Sequence, residues 1–254
     1  MKAKHSLTLS LIVLAMAQTL VSCVYRTNVL DVDSPKITQT RSLKGFERIN
    51  VYGSPTVYYT QADTFSVRLE GPESIVKDIV TKVEGNTLSV RNKGKIGMVN
   101  ISIGAVGDVH VFVTSPDLIG VQLYGSGDFK AEGKVDTDNM RIALRGSGDI
   151  FFNDIICDNC TSELIGSGDL FIKNLETQTS TISLVGSGDV SIEQRNVQNT
   201  DVTLKGSGDV KVKLIEGCKN ATCNLVGSGD ITLKGRLENL KRYKKGSGDI
   251  DHHL

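Results

Sequence analysis

The sequence predicts an all-β protein, a β-solenoid with coils of about 20 residues. Three observations lead to this fold class: a repeated turn motif, its regular spacing, and alternating apolar residues on both sides of it. A fixed period of this length is typical of solenoid repeats. The motif Gly-Ser-Gly-Asp occurs seven times, at steps of 21, 20, 20, 20, 21 and 19 residues, beginning at Gly125, Gly146, Gly166, Gly186, Gly206, Gly227 and Gly246.

Each motif lies between two segments in which apolar and polar residues alternate. Ile142 and Leu144 precede Gly146, and Ile150 and Phe152 follow its turn. Alternation with period two on both sides of a glycine corner indicates strand, tight turn and strand, each strand with one buried face. The unit is too short for a helical-pair repeat, and it lacks the leucine-rich consensus and the tryptophan-marked blades of other repeat classes. The remaining interpretation is one repeat per β-solenoid coil.

A second position marks the register, seven residues before the first glycine of each motif. Stacked coils lie about 4.8 Å apart, so amides at this position can hydrogen-bond to their copies above and below. The alternative is that asparagine is simply common in loops. We predict a structural ladder, with Thr179 in the remaining coil, formed by Asn139, Asn159, Asn199, Asn220 and Asn239.

The turn motif has a structural explanation of its own. Glycine at its first and third positions admits positive φ, and the Ser and Asp side chains can bond to nearby backbone N–H groups. Stacking in register also brings the carboxylates within about 5 Å of one another, where adjacent charges repel by about 0.9 kcal/mol in bulk water. The resulting column comprises Asp128, Asp149, Asp169, Asp189, Asp209, Asp230 and Asp249.

Backbone N–H groups or Ca²⁺ could offset this repulsion between carboxylates. Calcium-loaded β-rolls repeat Gly-Gly-x-Gly-x-Asp twice per coil, whereas this chain has one shorter turn per coil. The match to a calcium ladder is incomplete. We therefore favour backbone hydrogen bonds, and we predict no metal site and no cofactor.

The last repeat departs from the others. Arg242 and Lys244, within the basic run 241–245, replace the inward apolar pair before Gly246. Solenoid ends need a polar cap that stops open strands and core from recruiting partners, so we predict that this run is the cap. The alternative is a patch for nucleic acid or acidic glycan, which a chain with 29 basic and 29 acidic residues does not favour.

The N-terminal segment resembles a bacterial lipoprotein signal. Lys2 and Lys4 precede an apolar stretch from Leu7 to Val21, and Leu20 to Cys23 spells a lipobox. The resemblance implies cleavage between Ser22 and Cys23 and a lipid on Cys23 that anchors the protein to a membrane. Val24 in place of an aspartate favours the outer membrane and leaves the leaflet face open. Removing two of the 29 basic residues leaves 27 against 29 acidic ones, a net charge of −2, so we predict no nucleic-acid partner.

These features divide the chain into three parts. We assign residues 1–22 to the signal peptide, 23–44 to the lipidated N-terminus and tether, and 45–254 to a single β-helical domain. Within that domain, residues 45–120 form less regular opening coils and residues 121–254 the regular repeats. In the opening coils, 49–58 is a degenerate copy of the strand-turn-strand pattern, and 66–70 and 87–91 alternate as strands. We predict a short helix that residues 71–73 open and that extends through Ile79, with Pro72 near its first turn.

Four cysteines remain after Cys23 is assigned to lipid: Cys157, Cys160, Cys218 and Cys223. The two local pairs are three coils apart, roughly 14 Å along the axis, which excludes a bridge between the pairs and a four-thiolate zinc site. An envelope compartment would permit a disulfide within each pair. We predict buried thiols, because their positions fall on inward-facing lines.

The mature chain resembles the putative auto-transporter adhesin, head GIN domain family. The resemblance rests on the lipobox, the opening Val51 to Gln61, the segment Val67 to Glu73 and the repeated Gly-Ser-Gly-Asp turns. It implies a β-helical fold and a cell-envelope location, and it brings no catalytic residues.

The sequence therefore predicts a non-enzymatic, lipid-anchored envelope protein that presents a rigid solenoid for adhesion or binding. Its ligand, a surface glycan or a protein, and its self-association are left open. The alternative is a periplasm-facing lipoprotein with a scaffolding or envelope-stress role. A polysaccharide-acting β-helix enzyme is less favoured, because an Asp in every coil serves a turn rather than one active site, and the chain has no Trp for a sugar platform.

Overall fold

The computed structural model describes residues 34–93 and 109–254. They form twenty-one strands in two sheets and one four-residue helix, α1 (Glu73–Val76). The predicted β-solenoid is confirmed. Ser22 and Cys23 lie outside the described residues.

The two sheets face each other, and strands are numbered in chain order. Sheet A contains, in spatial order, β1 (Lys36–Arg41), β4 (Ser66–Pro72), β7 (His110–Ser115), β3 (Thr56–Gln61), β9 (Phe129–Asp136), β11 (Ile150–Ile156), β13 (Leu170–Glu176), β15 (Val190–Arg195), β17 (Val210–Leu214), β19 (Ile231–Lys234) and β21 (Ile250–His253). Sheet B contains β20 (Leu237–Gly246), β18 (Cys218–Gly227), β16 (Asn199–Gly206), β14 (Thr179–Gly186), β12 (Asn159–Gly166), β10 (Asn139–Gly146), β8 (Gly120–Gly125), β2 (Arg48–Gly53), β6 (Thr87–Asn92) and β5 (Ile79–Glu84).

Each regular coil uses one strand of each sheet. The chain leaves sheet B through a Gly-Ser-Gly-Asp corner, crosses sheet A, and returns through a second corner to the next strand of sheet B. Coils stack in parallel with the motifs in register, as Gly146 pairs with Gly166 and Gly166 with Gly186. The repeated motif therefore becomes a column along one side of the solenoid.

The core lies between the sheets and follows the predicted alternation. One inward column is leucine in every regular coil before the last, with exposed fractions of 0 or 1%: Leu123, Leu144, Leu164, Leu184, Leu204 and Leu225. Burying one such side chain contributes about 1.5–3 kcal/mol relative to its exposed state. Identical side chains recur at the coil spacing of about 4.8 Å, so each coil packs on its neighbours through the same residue type.

The opening coils have a spatial order that differs from their chain order. β2 pairs in parallel with both β6 and β8, and Gly53 lies opposite Gly125. The coil formed by β2 and β3 is thus inserted between the β6–β7 pair and the β8–β9 coil. The predicted strand-turn-strand copy at 49–58 is confirmed by this register.

Antiparallel strands and a helix close the N-terminal end. β4 runs antiparallel to β7, β1 to β4, and β5 to β6. α1 buries Ile75 and Val76 against this end. The predicted helix through Ile79 is too long, because Ile79 begins β5, where it pairs with Asn92. Residues 36–41, placed in the tether by the sequence analysis, instead form β1, whose backbone completes the edge of β4.

The C-terminal end has no covering element among the described residues. β20 and β21 are the last strands of their sheets. Arg242 lies in register with Cys223, and Lys244 with Leu225, so both occupy inward positions on the final coil. Lys244 Nζ lies 2.6 Å from Asp249 Oδ1. The basic run therefore stands where the predicted cap should be.

Within residues 34–93 and 109–254, no helix is long and apolar enough to cross a membrane.

Candidate functional site

The Gly-Ser-Gly-Asp corner joins each coil to the next through the carbonyl of its first glycine. Gly186 has a φ of +139°, a conformation that side chains disfavour. Its carbonyl oxygen accepts the N–H groups of Ser207 at 2.9 Å and Gly208 at 3.3 Å in the following coil. The corner is therefore a repeated backbone bridge, and the first glycine is required for its shape.

The third glycine of the motif is required for a different reason. The predicted positive φ at this position is wrong, since Gly188 and its equivalents do not adopt it. Instead, a Cβ on Gly188 would lie 1.9 Å from the carbonyl oxygen of Gly168 in the preceding coil. The stacked turns approach so closely that no side chain fits between their backbones.

The aspartate column is satisfied by backbone N–H groups. Asp169 Oδ1 accepts the backbone N–H of Asp189 at 2.9 Å, and Asp189 Oδ1 accepts that of Asp209 at 2.9 Å. The same bond joins every neighbouring pair of motifs, at 2.8 to 3.2 Å. Within the described part of the chain, no group of three or more His, Cys, Asp or Glu side chains is arranged to hold a metal ion. The column works as a structural ladder.

A first prediction concerns this ladder. Replacing Asp189 with Ala removes the acceptor for the Asp209 N–H and should lower the free energy of unfolding by about 1 kcal/mol, whereas Asp189→Asn keeps an oxygen acceptor and should cost less. Thermal unfolding by circular dichroism measures this, with Ser187→Ala in the same turn as the control. The melting temperature should be the same in EDTA and in millimolar Ca²⁺. A rise with Ca²⁺ that Asp189→Ala abolishes would contradict the backbone explanation.

The asparagine positions meet at the second corner of the coils. Asn159 Nδ2 donates to Asn139 Oδ1 at 2.9 Å, Asn220 Nδ2 donates to Asn199 Oδ1 at 3.0 Å, and Asn239 Nδ2 donates to Asn220 Oδ1 at 3.2 Å. Thr179 stands opposite both Asn159 and Asn199 and divides the column into two runs. These side chains are exposed, except for the half-buried Thr179.

The four cysteines of the described residues are free and buried. A hydrogen bond from the Cys160 thiol lowers the pKa of Cys157, and the same contact together with burial raises the pKa of Cys160 well above its ordinary value. Burial raises the pKa of Cys223 to about 11. Cys157 is thus the thiol most disposed to ionise, although only 6% of its surface is exposed.

A second prediction follows for thiol reactivity, measured on the Cys23→Ala protein. Iodoacetamide should modify Cys157 before the other three cysteines, because thiolate is the reactive form. Peptide mapping by mass spectrometry identifies the modified residue. Cys160→Ala removes the donor, so the pH at which Cys157 reacts at half its maximal rate should rise. Equal early labelling of Cys223 would contradict the assignment.

The outer face of sheet A carries a continuous line of large side chains. One outward residue from each of six adjacent strands contributes, from β4 to β13. We call this set the aromatic row: Arg68, Phe112, Tyr58, Lys130, Phe151 and Phe171, in spatial order. Six strands at about 4.8 Å span about 24 Å between the first and last residues.

Four of the five neighbouring pairs in the aromatic row are in contact. The Arg68 guanidinium lies 4.3 Å from the Phe112 ring centroid, and Phe112 stacks on Tyr58 at 5.3 Å. Lys130 Nζ lies 6.0 Å from the Tyr58 centroid. Phe151 and Phe171 stack at 5.6 Å with an 8° interplanar angle, and 38% of Phe171 is exposed. The row presents partly exposed rings, and its two cations pair with Glu70 and Asp128.

The sequence analysis misses the aromatic row. Its one local signal is an aromatic residue at an outward position of the alternation, such as Phe151 between the inward Ile150 and Phe152. The row cannot be assembled from the repeat alone, because its first three members come from the irregular opening strands.

One known protein family matches most of this chain. The profile described as "Putative auto-transporter adhesin, head GIN domain" matches residues 45–236, with a second match over residues 180–253. The chain belongs to this family. The family resemblance is thereby confirmed over the β-rich part of the chain, and the match does not extend to the lipobox.

Solved structures similar to this head GIN domain protein share its fold. A putative adhesin from Bacteroides fragilis is 26% identical, with a TM-score of 0.74 over 87% of this chain and 98% of that one. A putative lipid binding protein from Parabacteroides distasonis is 24% identical (TM-score 0.71), and a putative adhesin from Parabacteroides merdae is 17% identical (TM-score 0.67). Both alignments cover 87% of this chain, and 98% and 97% of those chains. Comparison with curated proteins gives no match. The family and most of these structures are named as adhesins, and none as an enzyme.

Proposed function

We propose that this protein is a non-enzymatic, lipid-anchored cell-envelope protein that uses the outer face of sheet A for adhesion. The observation that carries the proposal is the aromatic row. Surface aromatic residues and arginine dominate the energetics of protein interfaces. The family's name and the adhesin relative from Bacteroides fragilis support the same role.

The solenoid suits this role because it holds the contact surface rigid. Each row residue lies on a strand paired on both sides, and its ring or cation rests against a neighbour. Side chains ordered before binding lose little conformational entropy when the partner arrives. A preorganised row therefore converts more of its contact area into affinity than flexible loops would.

We infer that a lipid on Cys23 holds the protein at the outer membrane. Residues 24–35 would connect the lipid-bearing Cys23 to β1, which begins at Lys36. Protease shaving and antibody labelling of intact cells test exposure, with Cys23→Ala as the unanchored control and a periplasmic protein as the integrity marker. Labelling with the marker spared would support outward presentation, and protection until the outer membrane is opened would favour a periplasmic scaffold instead.

Substitution of the row tests the adhesion surface directly. Phe151→Thr/Phe171→Thr removes two stacked, outward side chains and should weaken binding of cells to their target surface by about tenfold or more. Ile165→Thr/Val185→Thr is the matched control, because these residues form an adjacent outward apolar pair on sheet B with 37% and 38% exposure. Equal effects of both double variants, or of neither, would contradict the assignment to sheet A.

A further inference from the structure

The C-terminal end of the solenoid is built differently from the N-terminal end. Antiparallel strands and α1 cover the N-terminal end, whereas within residues 34–93 and 109–254 β20 ends sheet B with one unpaired edge. An edge strand presents a row of unpaired backbone N–H and C=O groups that can pair with another strand. β20 is ten residues long, equal to the longest strand of the described residues, so it offers an extended template.

The side chains of this edge are strongly cationic. Lys241, Arg242, Lys244 and Lys245 occupy β20, against a single acidic residue, Glu238. Lys244 pairs with Asp249, while the other three cations form no ion pair within the described residues. Positive charge therefore concentrates at one end of a chain whose formal net charge is zero. A partner that adds to this edge must carry complementary negative charge.

The inward positions make the requirement more specific. Leu240, Arg242 and Lys244 alternate on the inner face of β20, in register with Ala221, Cys223 and Leu225 below them. A strand paired to β20 in parallel would place one residue near Leu240 and the next two inward residues near the cations. An apolar residue followed by two acidic residues at alternate positions would pack on Leu240, pair with Arg242 and share Lys244 with Asp249.

We propose that the C-terminal edge of the solenoid binds an extended acidic segment of a partner protein, which adds to β20 as a further strand. Backbone pairing supplies affinity and the alternate side chains supply specificity, as in other cases of strand addition. The same cations repel the identical edge of a second copy, so one end rejects self-pairing and accepts an acidic strand. This function is independent of the aromatic row, which lies on the outer face of sheet A.

Three fluorescently labelled peptides test the proposal by anisotropy with the full mature chain carrying Cys23→Ala. The first peptide has Thr at every outward position, and Leu, Glu and Glu at three successive inward positions. The second has the same composition with the Leu and the two Glu at consecutive positions, so that no register places all three on the inner face. The third is the first peptide with N-methylated backbone amides. The first peptide should bind at least about tenfold more tightly than the other two.

Variants of the edge complete the test. Arg242→Glu/Lys244→Glu should lose the acidic peptide and bind its Lys counterpart, a reversal that a misfolded protein cannot produce. Lys241→Thr/Lys245→Val removes two outward cations and should weaken binding less than Arg242→Thr/Lys244→Thr, which removes two inward cations. Equal binding of all three peptides, or displacement by a sulfated glycan at the same charge concentration, would overturn strand addition and leave only a basic patch. Absence of binding by any peptide would also overturn it.

Discussion

Gly188→Ala is expected to destabilise the solenoid by more than about 3 kcal/mol, one of the largest effects available to a single added methyl group here. The added Cβ would lie 1.9 Å from the Gly168 carbonyl oxygen, and this neighbour is backbone, which cannot rotate away. Relief requires separating two stacked coils, which breaks the bridge from Gly166 to Ser187 and Gly188. Urea unfolding followed by circular dichroism measures the loss.

Gly133→Ala is the matched control for this prediction. Gly133 lies in β9, where no atom comes within 4 Å of an added Cβ and φ is not positive. The same chemical change should therefore alter the free energy of unfolding by less than about 0.5 kcal/mol. If the two variants unfold at the same urea concentration, close stacking is not what requires glycine at the third position.

The Gly188→Ala substitution could also divide the solenoid into two parts that unfold separately, since each coil contacts mainly its neighbours.

The regular half of the fold could be predicted because every coil repeats the same local solution. The inward alternation and the seven motifs each occur often enough to fix the period and the buried faces. The role of the third glycine could not be predicted, because its constraint arises from the carbonyl of a residue 20 positions earlier. Conformational preference alone predicts a positive φ at this position. The close approach of the backbones of neighbouring coils is what requires glycine there.

The opening coils show the other limit of the sequence. The degenerate turn at Gly53 is recognisable, yet nothing local indicates that its coil lies between the β6–β7 pair and the β8–β9 coil. That order brings Tyr58 beside Phe112 on one side and Lys130 on the other. The aromatic row therefore depends on long-range strand pairing, and sequence spacing gives no account of it.

Arg242→Val/Lys244→Leu should make the protein self-associate through its C-terminal end. The substitutions restore the apolar pair that earlier coils carry at these positions, such as Val202 and Leu204. They would leave an open β edge beside an uncovered apolar core, a combination that recruits other strands. Two identical ends can pair about a twofold axis, so dimers should form first. Size-exclusion chromatography with light scattering, over a range of protein concentrations, measures the change in mass.

The control removes the same number of charges from the outward face. Lys241→Thr/Lys245→Val copies Thr222 and Val226 of the coil below and leaves the inward cations in place. If net charge alone kept the ends apart, both double variants would associate equally. We expect association only for the inward variant, because in the unchanged protein a partner strand must bring its core residues against Arg242, which forms no ion pair within the described residues, and against Lys244, which pairs with Asp249. Desolvating these charges costs several kcal/mol per ion. Unchanged mass for the inward variant would show that these two cations do not cap the solenoid.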